Sequence, residues 1–161
     1  MDFEKRLQQA IQRGQREKEA RGRREAAEAL SEEQLRRLHS QYRLALAEHI
    51  EQCLRKLAEH FPGFRFETVM RPEGWGAQIS RDDLRVDPGR RRRNEYSRLL
   101  LLVKPFSEAH LLELSAKATV RNKEIFNRSH YQFLSDADLD SFREVIDLWV
   151  LEFAEKYAAS R

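Results

Sequence analysis

The sequence contains one cysteine and no long apolar segment, and each absence excludes a class of protein. Cys53 has no second cysteine to pair with, which excludes an internal disulfide and leads us to expect a reducing cytoplasm. The longest apolar run covers residues 99–103, far short of the ~20 residues that span a bilayer. The first residues include no apolar stretch typical of a secretory signal. We therefore predict a cytoplasmic protein without membrane contact.

Motifs of common active sites and cofactor sites are also absent. No Walker A loop, GxGxxG turn, CxxC or HExxH is present, so we expect no nucleotide cofactor. His49 and Cys53 are four residues apart and His60 follows, but a zinc site needs three or four ligands, so we predict no metal. Ser129 and His130 are adjacent, and adjacent strand residues point to opposite faces, which argues against a Ser-His-Asp triad. The prediction is a non-enzymatic protein with no cofactor and no small-molecule substrate.

Charged side chains, by contrast, are abundant. They make up 35% of the 161 residues, and 30 bases nearly balance 27 acids, which leaves a net charge of +3. The apolar content of 40% is enough for one core beneath a charged surface. Residues 1–30 are rich in Glu, Arg and Gln, so we predict a charged arm that is helical or partly disordered. Residues 31–161 are predicted to form a single domain.

The hydrophobic period changes twice along this domain. Ser31 and Gln34 form a capping box, where we predict that a helix begins, and apolar residues at helical spacing continue it to residue 57. Residues 139–157 show helical spacing again, after aspartates suited to a helix N-terminus. Between the helices the pattern alternates, as in strands. The predicted strands are a hairpin over 64–80 and further strands over 96–104, 112–120 and 125–133.

These elements predict an α+β fold. An antiparallel meander of four or five strands is flanked by a long N-terminal helix and a C-terminal helix in a two-layer sandwich. The two helices could share one face of the sheet or cover both faces. The helix–meander–helix order also occurs in small nucleoid-associated proteins and secretion chaperones, but this likeness of layout carries no function.

An arginine run stands out in the segment between the second and third strands. We predict that residues 82–93 form a loop of about 10–15 residues, a length that typically has a function. Guanidinium groups pair bidentately with phosphates, and further bases would join them if the strand ends gather at one edge. No aromatic pair, GxxG loop or helix-turn-helix accompanies the run, so an acidic protein is the alternative partner. The predicted set for nucleic acid or an acidic partner is Arg90, Arg91, Arg92, Arg93, Arg121, Lys123 and Arg128.

Apolar residues on both faces of the third strand point to an interaction surface. Leu100 and Leu102 point away from the other apolar residues of that strand, so they need a cover. The cover could be the first long helix, the apolar tip of the N-terminal arm, or another chain. Trp75, between two glycines, is either a binding platform or folds over the edge of the core. The predicted interface residues are Phe3, Leu7, Ile11, Trp75, Leu100 and Leu102.

Together these patterns predict a non-enzymatic protein-interaction or adaptor module that self-associates as a homodimer or binds another protein. The alternative is a protein that binds RNA or DNA backbone through the arginine-rich segment.

Overall fold

The structure is a computed structural model that describes residues 2–86, 89 and 92–160, without the side chains of residues 27, 29, 30, 85 and 92. The chain divides into two compact units, Met1–Arg37 and Leu38–Arg161. The predicted α+β fold is confirmed. Its elements are α1 (Phe3–His60), β1 (Arg65–Arg71), β2 (Gly74–Val86), β3 (Arg92–Val103), β4 (Leu111–Val120), β5 (Lys123–Phe133), a 3₁₀ turn (Leu134–Asp136) and α2 (Leu139–Ala158).

Helix α1 is continuous, so the predicted helix start at Ser31 is wrong. Glu, Arg, Gln and Ala dominate the segment before Ser31, and these residues favour a helix strongly enough to continue it through the capping box. An ion pair of 3.0 Å between Arg37 and Glu33 spans one turn there. The helix ends just before Pro62 and Gly63, and Gly63 adopts a φ of 107° that favours glycine.

The five strands form one antiparallel sheet in the order β1-β2-β3-β4-β5, which confirms the predicted meander. Strands β2 and β3 are longer than expected, because their pairing continues from Ser80–Arg98 out to Val86–Arg92. The predicted loop over 82–93 is therefore wrong, and only residues 87–91 separate the two strands. The exposed Leu84 and Val86 show that this end of the hairpin lies away from the core, where strands tolerate charged residues on either side.

Both helices pack on the same face of the sheet within Leu38–Arg161. Paired residues of neighbouring strands share a face, so the register assigns Phe66 and Arg128 to the same side as the central residues of β3. The Arg55 guanidinium of α1 lies 4.2 Å from the Phe66 ring centroid, and Arg128 pairs with Glu152 of α2 at 2.8 Å. The helix layer thus covers one face, and no helix of the described residues 38–86, 89 and 92–160 lies on the other.

The core fills the space between the sheet and this helix layer. Helix α2 begins at the Asp138 cap, whose carboxylate accepts a hydrogen bond from the Asp140 amide. Its buried stripe matches the predicted helical spacing, and it packs on β4, where Ala116 and Ala118 leave room for close approach. Fully buried side chains of this core include Leu46, Ile50, Leu54, Ile79, Leu99, Leu101, Leu114, Phe142, Ile146 and Phe153.

Candidate functional site

The uncovered face of the sheet contains a groove with an apolar floor and a cationic rim. Leu100 and Leu102 form the floor together with Val69, and each leucine is 7% exposed although no helix described in unit Leu38–Arg161 covers it. The groove has a volume of about 400 Å³. We name this surface the basic face; its rim is formed by Arg71, Arg98, Lys104 and Lys117.

The register explains how neighbouring strands build the basic face. Leu100 of β3 pairs with Lys117 of β4, and Leu102 pairs with Ser115, so a lysine lies beside the apolar floor. Arg98 is two residues before Leu100 and shares its face. Glu73 is the one acid among the residues that line the groove, and Lys104 is 3.6 Å from Glu113. The groove therefore carries an excess of positive charge.

Among the side chains that the structure describes, two polar atoms on this face are buried without a hydrogen-bond partner. These atoms are the Arg98 Nε and the Gln78 Oε1, and Gln78 pairs directly with Leu100 across β2 and β3. A buried polar atom without a partner costs about 1–3 kcal/mol. The single chain therefore bears this cost at two positions on the basic face.

The predicted basic set is not brought together as one patch. Arg121 donates to the buried Glu95 at 2.7 Å, and Arg93 lies 3.4 Å from the same carboxylate. Arg121 also donates to the Ser160 Oγ at 2.9 Å. Its position follows from the β4–β5 turn, where Arg121 and Asn122 both have positive φ, as in a type I′ hairpin. Arg93 and Arg121 thus neutralise a buried acid.

Two further members of that set have described positions. Arg128 is on the helix-covered face beside Glu152, and Lys123 is exposed at the start of β5. Arg90 and Arg91 lie outside the described residues, as does the side chain of Arg92. Sequence reasoning missed the rim of the basic face, although strand alternation already assigned Lys117 to the side opposite the core.

The predicted interface residues also separate. Trp75 points into the helix layer, where the Arg43 guanidinium lies 3.4 Å from its ring centroid. In unit Met1–Arg37, the apolar tip of Phe3, Leu7 and Ile11 is exposed. The floor leucines belong to the basic face. The first long helix is therefore not their cover over residues 38–60, because that part of α1 lies on the opposite face.

A second unusual surface is the outer side of α2. Its buried residues follow one stripe, and the residues half a turn away are exposed. Leu148 and Leu151 in this outer row are 58% and 63% exposed. We name it the acidic stripe; it consists of Asp140, Glu144, Leu148, Leu151 and Glu155.

Where α1 and α2 meet, three metal-ligand types come together. The Cys53 Sγ, His49 Nε2 and an Asp147 carboxylate oxygen all lie within 4.8 Å of one another. Burial first, and then the hydrogen bond and charge of Asp147, raise the pKa of the Cys53 thiol to about 12. Cys53 and Asp147 border a groove of about 500 Å³ between the helices, which we name the helix groove.

Comparison of the chain with models of protein families, with curated proteins and with solved structures finds no match. Among the described residues, no helix is both long enough and apolar enough to cross a bilayer.

Proposed function

We propose that the protein is a non-enzymatic, self-associating interaction module, in which the acidic stripe of one copy lies on the basic face of another. The observation that carries the proposal is the complementarity of these two surfaces on one chain. The basic face offers leucines within a cationic rim, and the acidic stripe offers leucines between carboxylates. Burial of the exposed Leu148 and Leu151 would drive the contact and charge would set its orientation.

The shapes of the two surfaces support this contact. Helix α2 has 20 residues and is therefore about 30 Å long, comparable to the width of a five-stranded sheet at about 4.8 Å per strand. A helix on the basic face would complete a three-layer arrangement, with both faces of the central strand covered. The basic face would then bury Leu148 and Leu151, which are exposed in the single chain.

The proposed contact is head-to-tail. The basic face and the acidic stripe are on opposite sides of the unit Leu38–Arg161, because α2 packs on the other face of the sheet with its outer row turned away. One pair of copies therefore forms a single such contact, and a dimer is the smallest assembly. Further copies can bind the two remaining surfaces. The assembly then either closes into a ring or extends as a filament.

Two charge reversals test this arrangement. Lys117→Glu alters the basic face and Glu144→Lys alters the acidic stripe, and each should weaken self-association by at least about tenfold, or about 1.4 kcal/mol. A mixture of the two variants should recover association, because each variant keeps the surface that the other lacks. Sedimentation velocity over a range of concentrations measures all three outcomes.

Lys123→Glu is the matched control, because it reverses an exposed lysine outside both surfaces. A wild-type protein that stays monomeric at high concentration and low salt would refute the proposal. So would a mixture of the two variants that remains monomeric while each variant is folded.

Nucleic acid is the alternative partner, and one observation favours it. Tyr131 and Phe133 are exposed on the uncovered side of the sheet, where they could stack on bases next to the cationic rim. If the basic face binds a second copy of the chain, Lys117→Glu should not weaken any binding that a titration with single-stranded RNA detects. RNA binding that Lys117→Glu weakens would assign the basic face to nucleic acid. Replacement of residues 90–93 by serine separates that site from the arginine-rich segment.

A cytoplasmic location belongs to the same proposal, since a single cysteine fits a reducing compartment.

A further inference from the structure

Three side chains from two helices converge between α1 and α2. The Asp147 Oδ1 lies 2.8 Å from the His49 Nε2 and 3.4 Å from the Cys53 Sγ, and the Sγ lies 3.6 Å from the same Nε2. His49 and Cys53 are one turn apart on α1, so they present their side chains to the same side of the helix. Asp147 comes from α2.

The arrangement differs from a catalytic relay. In a Cys-His-Asp relay, the thiol contacts one ring nitrogen of histidine and the carboxylate contacts the other. Here both the sulfur and the carboxylate oxygen approach the same nitrogen, His49 Nε2. Such a triangle of donor atoms is the geometry expected around a shared ion.

The size of the triangle fits a metal ion. A circle through the three donor atoms has a radius of about 1.9 Å, so a point slightly above their plane is about 2.0–2.3 Å from each, as in zinc sites. Ideal tetrahedral zinc bonds separate sulfur and nitrogen by about 3.6 Å, which equals the observed distance. The nitrogen–oxygen distance is shorter than in such a site, because these atoms form a hydrogen bond.

The donor set selects the metal. Thiolate, imidazole and carboxylate together suit Zn²⁺, whereas Mg²⁺ and Ca²⁺ require oxygen ligands. A thiolate and a carboxylate also cancel the two charges of the ion. Cys53 and Asp147 line the helix groove, from which a water molecule can reach the fourth position.

We propose that His49, Cys53 and Asp147 bind one Zn²⁺ ion, with water as the fourth ligand. On binding, the Cys53 thiol gives its proton to solvent and the sulfur forms a bond to zinc. The ion then links α1 to α2 within the unit Leu38–Arg161. This site is independent of the proposed head-to-tail contact, because the charge reversals above replace none of its ligands.

Metal titration of the full chain tests the site. Zinc should bind the apo protein at one ion per chain and raise the temperature of unfolding, since only the folded chain presents all three ligands. Co²⁺ should give a thiolate-to-metal charge-transfer band and the intense visible bands of a tetrahedral site. Cys53→Ser should remove the charge-transfer band and weaken zinc binding by at least about 100-fold.

Matched variants distinguish this site from adventitious binding. His49→Gln and Asp147→Asn should each weaken binding by at least about tenfold. His60→Gln and Asp140→Asn should leave it unchanged, because these residues are on the same helices but outside the cluster. Circular dichroism confirms that each apo variant is folded. Zinc affinity that is the same in wild type, His49→Gln and Cys53→Ser would overturn the proposal, as would a stoichiometry near zero.

Discussion

The two faces of the sheet bury leucines in different ways. On the helix-covered face, Leu99 and Leu101 are completely buried beneath α1 and α2. On the basic face, Leu100 and Leu102 are nearly as buried, but by residues of the same sheet. Arginine and lysine stems can shield apolar surface while their charged groups stay in water. A low exposure in a single chain therefore does not show that a second layer covers the residue.

The largest expected difference between the faces is the cost of removing a leucine. Leu101→Ala should lower the free energy of unfolding by about 3–4 kcal/mol, because it leaves a cavity beneath the helix layer. Leu102→Ala, at the next position on the same strand, should cost only about 1–2 kcal/mol, because solvent and rim side chains can fill the space. Urea unfolding measures both values. Equal costs would show that the basic face is as tightly packed as the core.

The next comparison concerns an acid on each face. Glu95→Gln should cost about 2 kcal/mol, because it removes the charge that pairs with Arg121 in a site where Glu95 is 2% exposed. Glu113→Gln should change stability by less than about 0.5 kcal/mol, because its partner Lys104 is half exposed. Urea unfolding of the two isosteric variants near neutral pH is the test. A larger effect at Glu113 would contradict the proposed difference between the faces.

A smaller effect depends on pH. His39 is buried, its Nε2 lies 3.0 Å from the Lys104 carbonyl oxygen, and burial lowers its pKa. The unfolded chain therefore takes up a proton at a higher pH than the folded chain. The stability from neutral His39 is fully present above pH ~6.5 and is lost as pH falls toward the lowered folded pKa.

Replacement of this histidine isolates its contribution. Wild type should lose more free energy of unfolding than His39→Gln between pH of about 7.5 and about 5.5. Urea unfolding at both pH values gives the difference, with His60→Gln as the control at the exposed end of α1. Equal losses in wild type and His39→Gln would assign the acid sensitivity to other groups.

The smallest effect is expected on the acidic stripe. Leu148→Gln should change the free energy of unfolding of the dilute protein by less than about 0.5 kcal/mol, because Leu148 is exposed in the single chain. Ile146→Val, two residues away and fully buried, should cost about 1 kcal/mol. Thermal or urea unfolding at low protein concentration measures the free-energy cost of each substitution. A large cost for Leu148→Gln would mean that the acidic stripe is already packed.

Local patterns were sufficient to predict the order of the elements. Alternation predicted β4 and β5, and helical spacing with an aspartate cap predicted α2. The continuation of the hairpin to Val86 was missed because its charged residues are typical of a loop. Those residues still alternate with Leu84 and Val86, which is the signal that could have extended both strands.

Predicting the candidate surfaces required knowing which residues that are distant in the sequence lie next to each other in the fold. Strand alternation placed Lys117 and Leu100 on outward faces, but only the register between β3 and β4 makes them neighbours. His49 and Asp147 are 98 residues apart, and no spacing rule connects them. Their proximity depends on α1 and α2 sharing one face of the sheet, an alternative that the sequence left open.

The order of the strands has a consequence for how quickly the chain folds. Every strand pairs with its neighbour in the sequence, so each pairing closes a short loop and loses little chain entropy. The docking of α1 against α2 is the step that joins distant parts of the chain. Hairpins can therefore assemble the sheet in successive local steps, and the two helices can close over a surface that is already formed.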